Sequence, residues 1–203
     1  YEISSYSPDI FSEFDIKREI GENDSEICKL IRADSIDDFI IYVNRYNISL
    51  SSTINSSIFE TNSFLLKNKK TTLIEYAAFF GSIQIFQYLR LNNVLLSKRL
   101  WLYAIHGKNG ELIHLLEESR VRPENGTFIK CLQESIKCHH NDIANHNYKF
   151  MPNDLNEHEF ISFYLCQYDY ITIVTFLLKN NSFNTKNKID AISNKTDFIM
   201  KFN

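Results

Sequence analysis

The sequence predicts an all-α solenoid of stacked helix-turn-helix repeats, and three observations point to it. A helix-turn-helix unit at 72–89, TLIEYAAFFGSIQIFQYL, recurs in degraded copies at a spacing of about thirty residues. Only five glycines and three prolines punctuate 203 residues, too few for the many tight turns of a sandwich or barrel. Hydrophobic residues make up 44% of the chain, enough for a substantial core. A hairpin of this kind cannot bury the apolar face of each helix alone, so neighbours stack and leave a long surface rather than a pocket.

In the clearest unit, Thr72 caps the first helix and Glu75, three residues on, completes a capping box. Leu73, Ala77 and Phe80 then share one face, and the small pair Ala77 and Ala78 lets a neighbouring helix approach closely. Gly81 and Ser82 make the turn, Ile85, Phe86 and Leu89 form the second stripe, and Asn92 and Asn93 end the helix. One copy later, Ala104 and Ile105 take the small-residue slot, Asn109, Gly110 and Glu111 the turn, and Leu112, Ile113 and Leu116 the stripe. The next copy places Ser135 and Ile136 in the slot, His139 to Asp142 at the turn, and Ile143 and Ala144 at the start of its second helix. That copy fades near Met151 and Pro152, and a further one puts Leu165 and Cys166 in the slot, with Ile173, Val174 and Leu177 as its stripe.

Going backward, Ile31 and Arg32 occupy the slot of a first copy whose stripe is Phe39, Ile40 and Val43. The spacings are 46 (31 to 77), 27 (77 to 104), 31 (104 to 135) and 30 (135 to 165) residues. The long first interval holds a Ser/Thr/Asn-rich insertion at 47–70, with a short helix expected over 58–67. Asn47, Asn93 and Asn181 each fall four residues after the last stripe residue, where Asn suits the left-handed conformation that closes a helix. The organisation read from this pattern is an N-terminal cap segment at 1–26, a repeat array of about five units at 27–183, and a tail or the start of another repeat at 184–203. The chain opens on Tyr1 rather than Met, as a fragment of a longer array would.

Residues Thr72 to Ala78, followed by Gly81, Ile85, Phe86 and Leu89, resemble the ankyrin pattern T-P-L-H-x-A-A-x-x-G-x-x-x-I-V-x-x-L. With 99–107 and 136–144, the stretch from about 20 to 180 is similar to an ankyrin-type family of unknown function expanded in parasitic protozoa. The Pro and His of the ankyrin start are replaced by Leu73 and Glu75. Only 94–98 separates two copies, so the hairpin fingers of ankyrin proteins are expected to be reduced or absent. The resemblance implies an ankyrin-type solenoid that binds a protein partner through its repeat surface.

Composition narrows the function further. A formal charge of −3 gives no electrostatic footprint for nucleic acid, and Lys67, Lys69 and Lys70, the densest basic cluster, read as a solvated loop. No apolar run reaches the roughly 18 residues of a membrane span, and no signal-peptide pattern opens the chain. Cys28, Cys131, Cys138 and Cys166 fall in apolar-periodic segments, which fits free thiols and a cytoplasmic location.

No Gly-rich phosphate loop, HExxH or GxSxG occurs. Cys131, Cys138, His139, His140 and His146, with His106 and His114 one repeat earlier, form the cluster that a metal-binding or enzymatic protein would use around 131–146. Cys131 and Cys138 lie two turns apart, about 10 Å along a helix, too far to share one ion. Structural roles are therefore expected for this cluster, with no cofactor, metal or catalytic residue assigned. Tyr76, Tyr103 and Tyr164 occupy one equivalent slot, while Phe79, His106, Lys137 and Gln167 occupy another three residues on. These seven are the candidate partner-binding residues of a non-catalytic interaction module, because rows of Tyr combine apolar area with a hydroxyl. The alternatives are that the rings pack between repeats, or that the chain is a structural spacer.

Overall fold

The computed structural model describes residues 8–68, 70–123 and 128–148, which form α-helices with no β-strand among them. The copy built on Leu165 and Cys166, the stop at Asn181 and the tail at 184–203 lie outside the described residues. The chain divides into two compact units, Tyr1–Leu96 and Ser97–Asn203. No described helix is long and apolar enough to cross a membrane.

In the first unit, α1 (Pro8–Ile20) leads into the hairpin of α2 (Glu26–Arg32) and α3 (Ile36–Arg45). The insertion and α4 (Ser63–Lys67) follow, and then the hairpin of α5 (Leu73–Phe80) and α6 (Ile83–Leu91). The hairpins stack in register, α2 on α5 and α3 on α6. Their shared core is Cys28, Ile31, Phe39 and Val43 against Leu73, Ala77, Ile85, Phe86 and Leu89, all nearly fully buried. Each large apolar side chain so buried contributes about 1.5–3 kcal/mol. The expected capping box is present: Thr72 Oγ1 accepts from Glu75 N at 3.3 Å and Glu75 Oε2 accepts from Thr72 N at 3.0 Å.

The insertion is tied down along its length. An antiparallel bridge joins Thr53 to Thr72, Asn23 Nδ2 donates to Asn55 O, and Arg18 donates to Ile58 O. Gly21, at φ +70°, accepts both the amide and the hydroxyl of Thr61 on its carbonyl, and a Cβ there would collide with that threonine. The helix expected over 58–67 is shorter than the pattern suggested. Asn62 accepts from Phe64 N and Leu65 N and so starts α4 at Ser63.

In the second unit, α7 (Leu100–His106) pairs with α8 (Gly110–Glu118), and α9 (Ile129–Lys137) with α10 (Asn141–Tyr148). Helix α7 also packs on α9, so the first helices of the two hairpins face one another. Trp101 is 1% exposed, meets Phe128 edge-on and donates from Nε1 to Val121 O at 2.7 Å. Ser135, in the small-residue slot, donates to Cys131 O at 2.7 Å and accepts from the buried Asn147 amide at 3.0 Å.

One backbone device recurs through both units. A residue at positive φ follows each first helix, at Asp34, Gly81, Lys108 and His139, and the next amide donates back to Leu30, Ala77, Ala104 and Ser135 respectively. Second helices close identically at Asn47, Asn93 and Arg120, with Ile48, Val94 and Val121 donating to the stripe residues Val43, Leu89 and Leu116. This is the six-residue return bond of the Schellman motif. It corrects two sequence assignments. The slot of the first copy is Leu30 rather than Ile31, and the turn of the third centres on Lys108, because Asn109 caps α8 and Gly110 is its first residue.

Candidate functional site

The two described tyrosines of the predicted row are interior. Tyr76 is 2% exposed and Tyr103 1% exposed. The Tyr76 hydroxyl accepts from Arg32 Nη1 at 2.8 Å, and that arginine also pairs with Glu22 at 2.8 Å. Burial pushes the Tyr76 hydroxyl's pKa well above its ordinary range. Tyr103 likewise accepts from Arg99 Nη2 at 2.9 Å. The expectation that these rings offer a partner-binding surface is corrected: their faces are covered by core packing and their hydroxyls are paired with arginines of the same unit.

The other slot is nearer the surface. Phe79 is half-buried and stacks on Phe64 of the insertion, with centroids 5.9 Å apart. Lys137 is exposed at the end of α9, and His106 is half-buried at the end of α7. Tyr164 and Gln167 lie outside the described residues.

Around His106 the second unit gathers unlike donors. His106 Nε2 lies 2.9 Å from Glu134 Oε1, and Cys138 Sγ lies 3.6 Å from Nδ1 and 3.9 Å from Nε2 of the same ring. Lys137 Nζ holds the other carboxylate oxygen of Glu134 at 3.2 Å. Glu134 on α9 and Cys138 at its C-cap stand one turn apart, so their side chains share a face, and α7 brings His106 onto it. The hydrogen bond from His106 keeps the Glu134 carboxyl below its usual range against the opposing effect of burial, and Lys137 adds to the lowering. Burial, and then the Glu134 charge, push the Cys138 thiol up to about 11. Burial also lowers the pKa of His140, against the opposing effect of a hydrogen bond with the His106 backbone.

A second contact of the same kind links α8 to α10. Glu117 Oε1 is 2.7 Å from His146 Nε2, and its Oε2 is 3.2 Å from His114 Nδ1. Of the cysteine and histidine run at 131–146, only Cys138 joins the His106 cluster, while Cys131 is 1% exposed with its thiol raised to about 12 by burial. Sequence reasoning collected the histidines and cysteines and missed their partners Glu134 and Glu117. The available signal was Glu134 four residues before Cys138, one turn away on the same face.

This cluster is poorly arranged for nucleophilic catalysis. The sulfur sits almost equally far from both ring nitrogens instead of in line with one, and its thiol is held protonated, opposite to an activated cysteine. Compared with protein-family models, with curated proteins and with solved structures, the chain finds no match.

Proposed function

We propose that the chain is an ankyrin-type repeat array acting as a non-catalytic protein–protein interaction module in the cytoplasm. The return bond at equivalent positions, onto Leu30, Ala77, Ala104 and Ser135, supports this reading most strongly, since it gives successive hairpins one turn geometry, as repeats of one unit have. Stacked hairpins present extended helical faces, which suit a partner's surface better than a small substrate. The protonated, misaligned Cys138 thiol supports a role without catalysis, and the free Cys28, Cys131 and Cys138 suit a reducing compartment.

With Tyr76 and Tyr103 interior, partner contact falls to exposed side chains such as Lys137 and Leu95, the latter 81% exposed. The experiment is affinity capture from the source cell with wild type, Lys137→Glu and Leu95→Asp, each checked for unchanged circular dichroism. A partner retained by wild type and lost by either surface variant supports the module. Identical captured sets for all three contradict it and favour a spacer.

A further inference from the structure

Three chemically different donors from two successive hairpins converge at one point of the second unit. His106 ends α7, Glu134 on α9 and Cys138 at its C-cap lie one turn apart, and one ligand atom from each lies within 4.8 Å of the others. We propose that His106, Glu134 and Cys138 bind a thiophilic divalent cation of the zinc class, bridging α7 and α9.

The distances fit such an ion. Tetrahedral zinc, with bonds of about 2.0–2.3 Å, sets its donor atoms roughly 3.3–3.6 Å from one another. The His106 Nε2 separations of 2.9 Å to Glu134 Oε1 and 3.9 Å to Cys138 Sγ bracket that spacing, and with all three donor atoms within 4.8 Å of one another, rotation of the Cys138 side chain is the movement that brings Sγ in line with Nε2 and toward the carboxylate. Both His106 and Glu134 are mostly shielded, at 17% and 20% side-chain exposure, yet remain open to an ion arriving from solvent.

The donor set also selects the ion. A thiolate and a carboxylate carry two negative charges, matching a divalent cation, while sulfur and imidazole favour zinc over magnesium or calcium. On binding, the Cys138 S–H bond breaks, its proton passes to solvent, and the sulfur lone pair forms the metal bond; His106 Nε2 likewise gives up the hydrogen it shares with Glu134, so that the neutral ring carries its one N–H on Nδ1 and Nε2 offers a lone pair. Three protein donors leave the fourth position to water. Lys137 orients Glu134 through Oε2, the oxygen turned away from His106, as an outer partner of a ligating carboxylate does. The bound ion would clamp the two hairpins of this unit at the point where α7 meets α9.

The test uses the full chain, stripped with a chelator and titrated with cobalt(II), which reports tetrahedral thiolate ligation by visible d–d bands and a near-ultraviolet charge-transfer band. The expected result is one cobalt per chain, displaced by zinc, with the charge-transfer band lost in Cys138→Ser and retained in Cys131→Ala. Glu134→Gln should weaken binding at least about tenfold, the low end of what losing even an outer partner costs. No tetrahedral spectrum at stoichiometric cobalt, or a charge-transfer band that survives in a folded Cys138→Ser variant, overturns the proposal. Should Cys138→Ser lose its helical circular dichroism, Glu134→Gln decides, and unchanged affinity there overturns it.

Discussion

The Asp34 carboxylate caps a helix of the following hairpin, its Oδ1 accepting from Ile85 N at 3.0 Å while Oδ2 accepts from Gln84 N at the same distance. Asp34 is also the positive-φ residue that closes α2, so one side chain ends one helix and begins another fifty residues on. In return, the Ser82 hydroxyl donates to Ile31 O, leaving α6 without a cap from its own N-cap side chain. The stacking of the first unit is thus fixed by directed polar contacts as well as by apolar burial.

Asp34→Ala should lose about 1 kcal/mol, the usual worth of a helix cap, and add the strain of a Cβ residue that tolerates positive φ poorly. Asp34→Asn keeps an acceptor and the tolerance for that conformation and should lose less. Urea midpoints of the three proteins check this, and equal midpoints would show that the cap carries no stability.

Lys108 and Arg120 hold φ of 50° and 54° at exposed helix ends. Replacing either by Gly relieves a conformation unfavourable to side chains and should stabilise by up to about 1 kcal/mol. Thermal midpoints should rise for each and nearly add in the double variant; a fall in either would refute the left-handed assignment.

These stops also show what the sequence could reveal. Asn47, Asn93 and Gly81 were legible because their side chains, or the lack of one, favour the conformation they adopt, and Thr72 with Glu75 is a local code for a helix start. Lys108 and Arg120 adopt the same geometry although their residue type does not announce it. Periodicity placed Tyr76 and Tyr103 in one row but could not say which flank was covered, since burial depends on neighbours far away in the chain. Among 25 acidic residues the one-turn spacing of Glu134 from Cys138 is a weak local signal, and the approach of α7 and of α10 is what singles out Glu134 and Glu117.

Ser135→Ala should destabilise by about 1–3 kcal/mol, because it leaves the buried Asn147 amide without its acceptor. Ser135→Ala with Asn147→Leu removes both polar partners and should recover part of the loss. Denaturant unfolding of the two variants decides, and an unchanged midpoint for the single substitution would place Asn147 elsewhere.

The Cys138 thiol, raised to about 11, should react with iodoacetamide at pH 8 more slowly than free cysteine. Glu134→Gln removes the charge that helps raise it, so the thiolate fraction and the alkylation rate should both increase. Rapid alkylation of the wild-type protein would instead favour an activated nucleophile and the enzymatic alternative.

Equivalent hairpins are closed by one repeated backbone bond. Amide hydrogen exchange read residue by residue tests it most directly, at Ser35, Ser82, Asn109 and His140, whose amides make the return bonds after the first helices. All four should be protected well beyond the insertion amide of Ser56. Exchange at those four as fast as at Ser56 would contradict it.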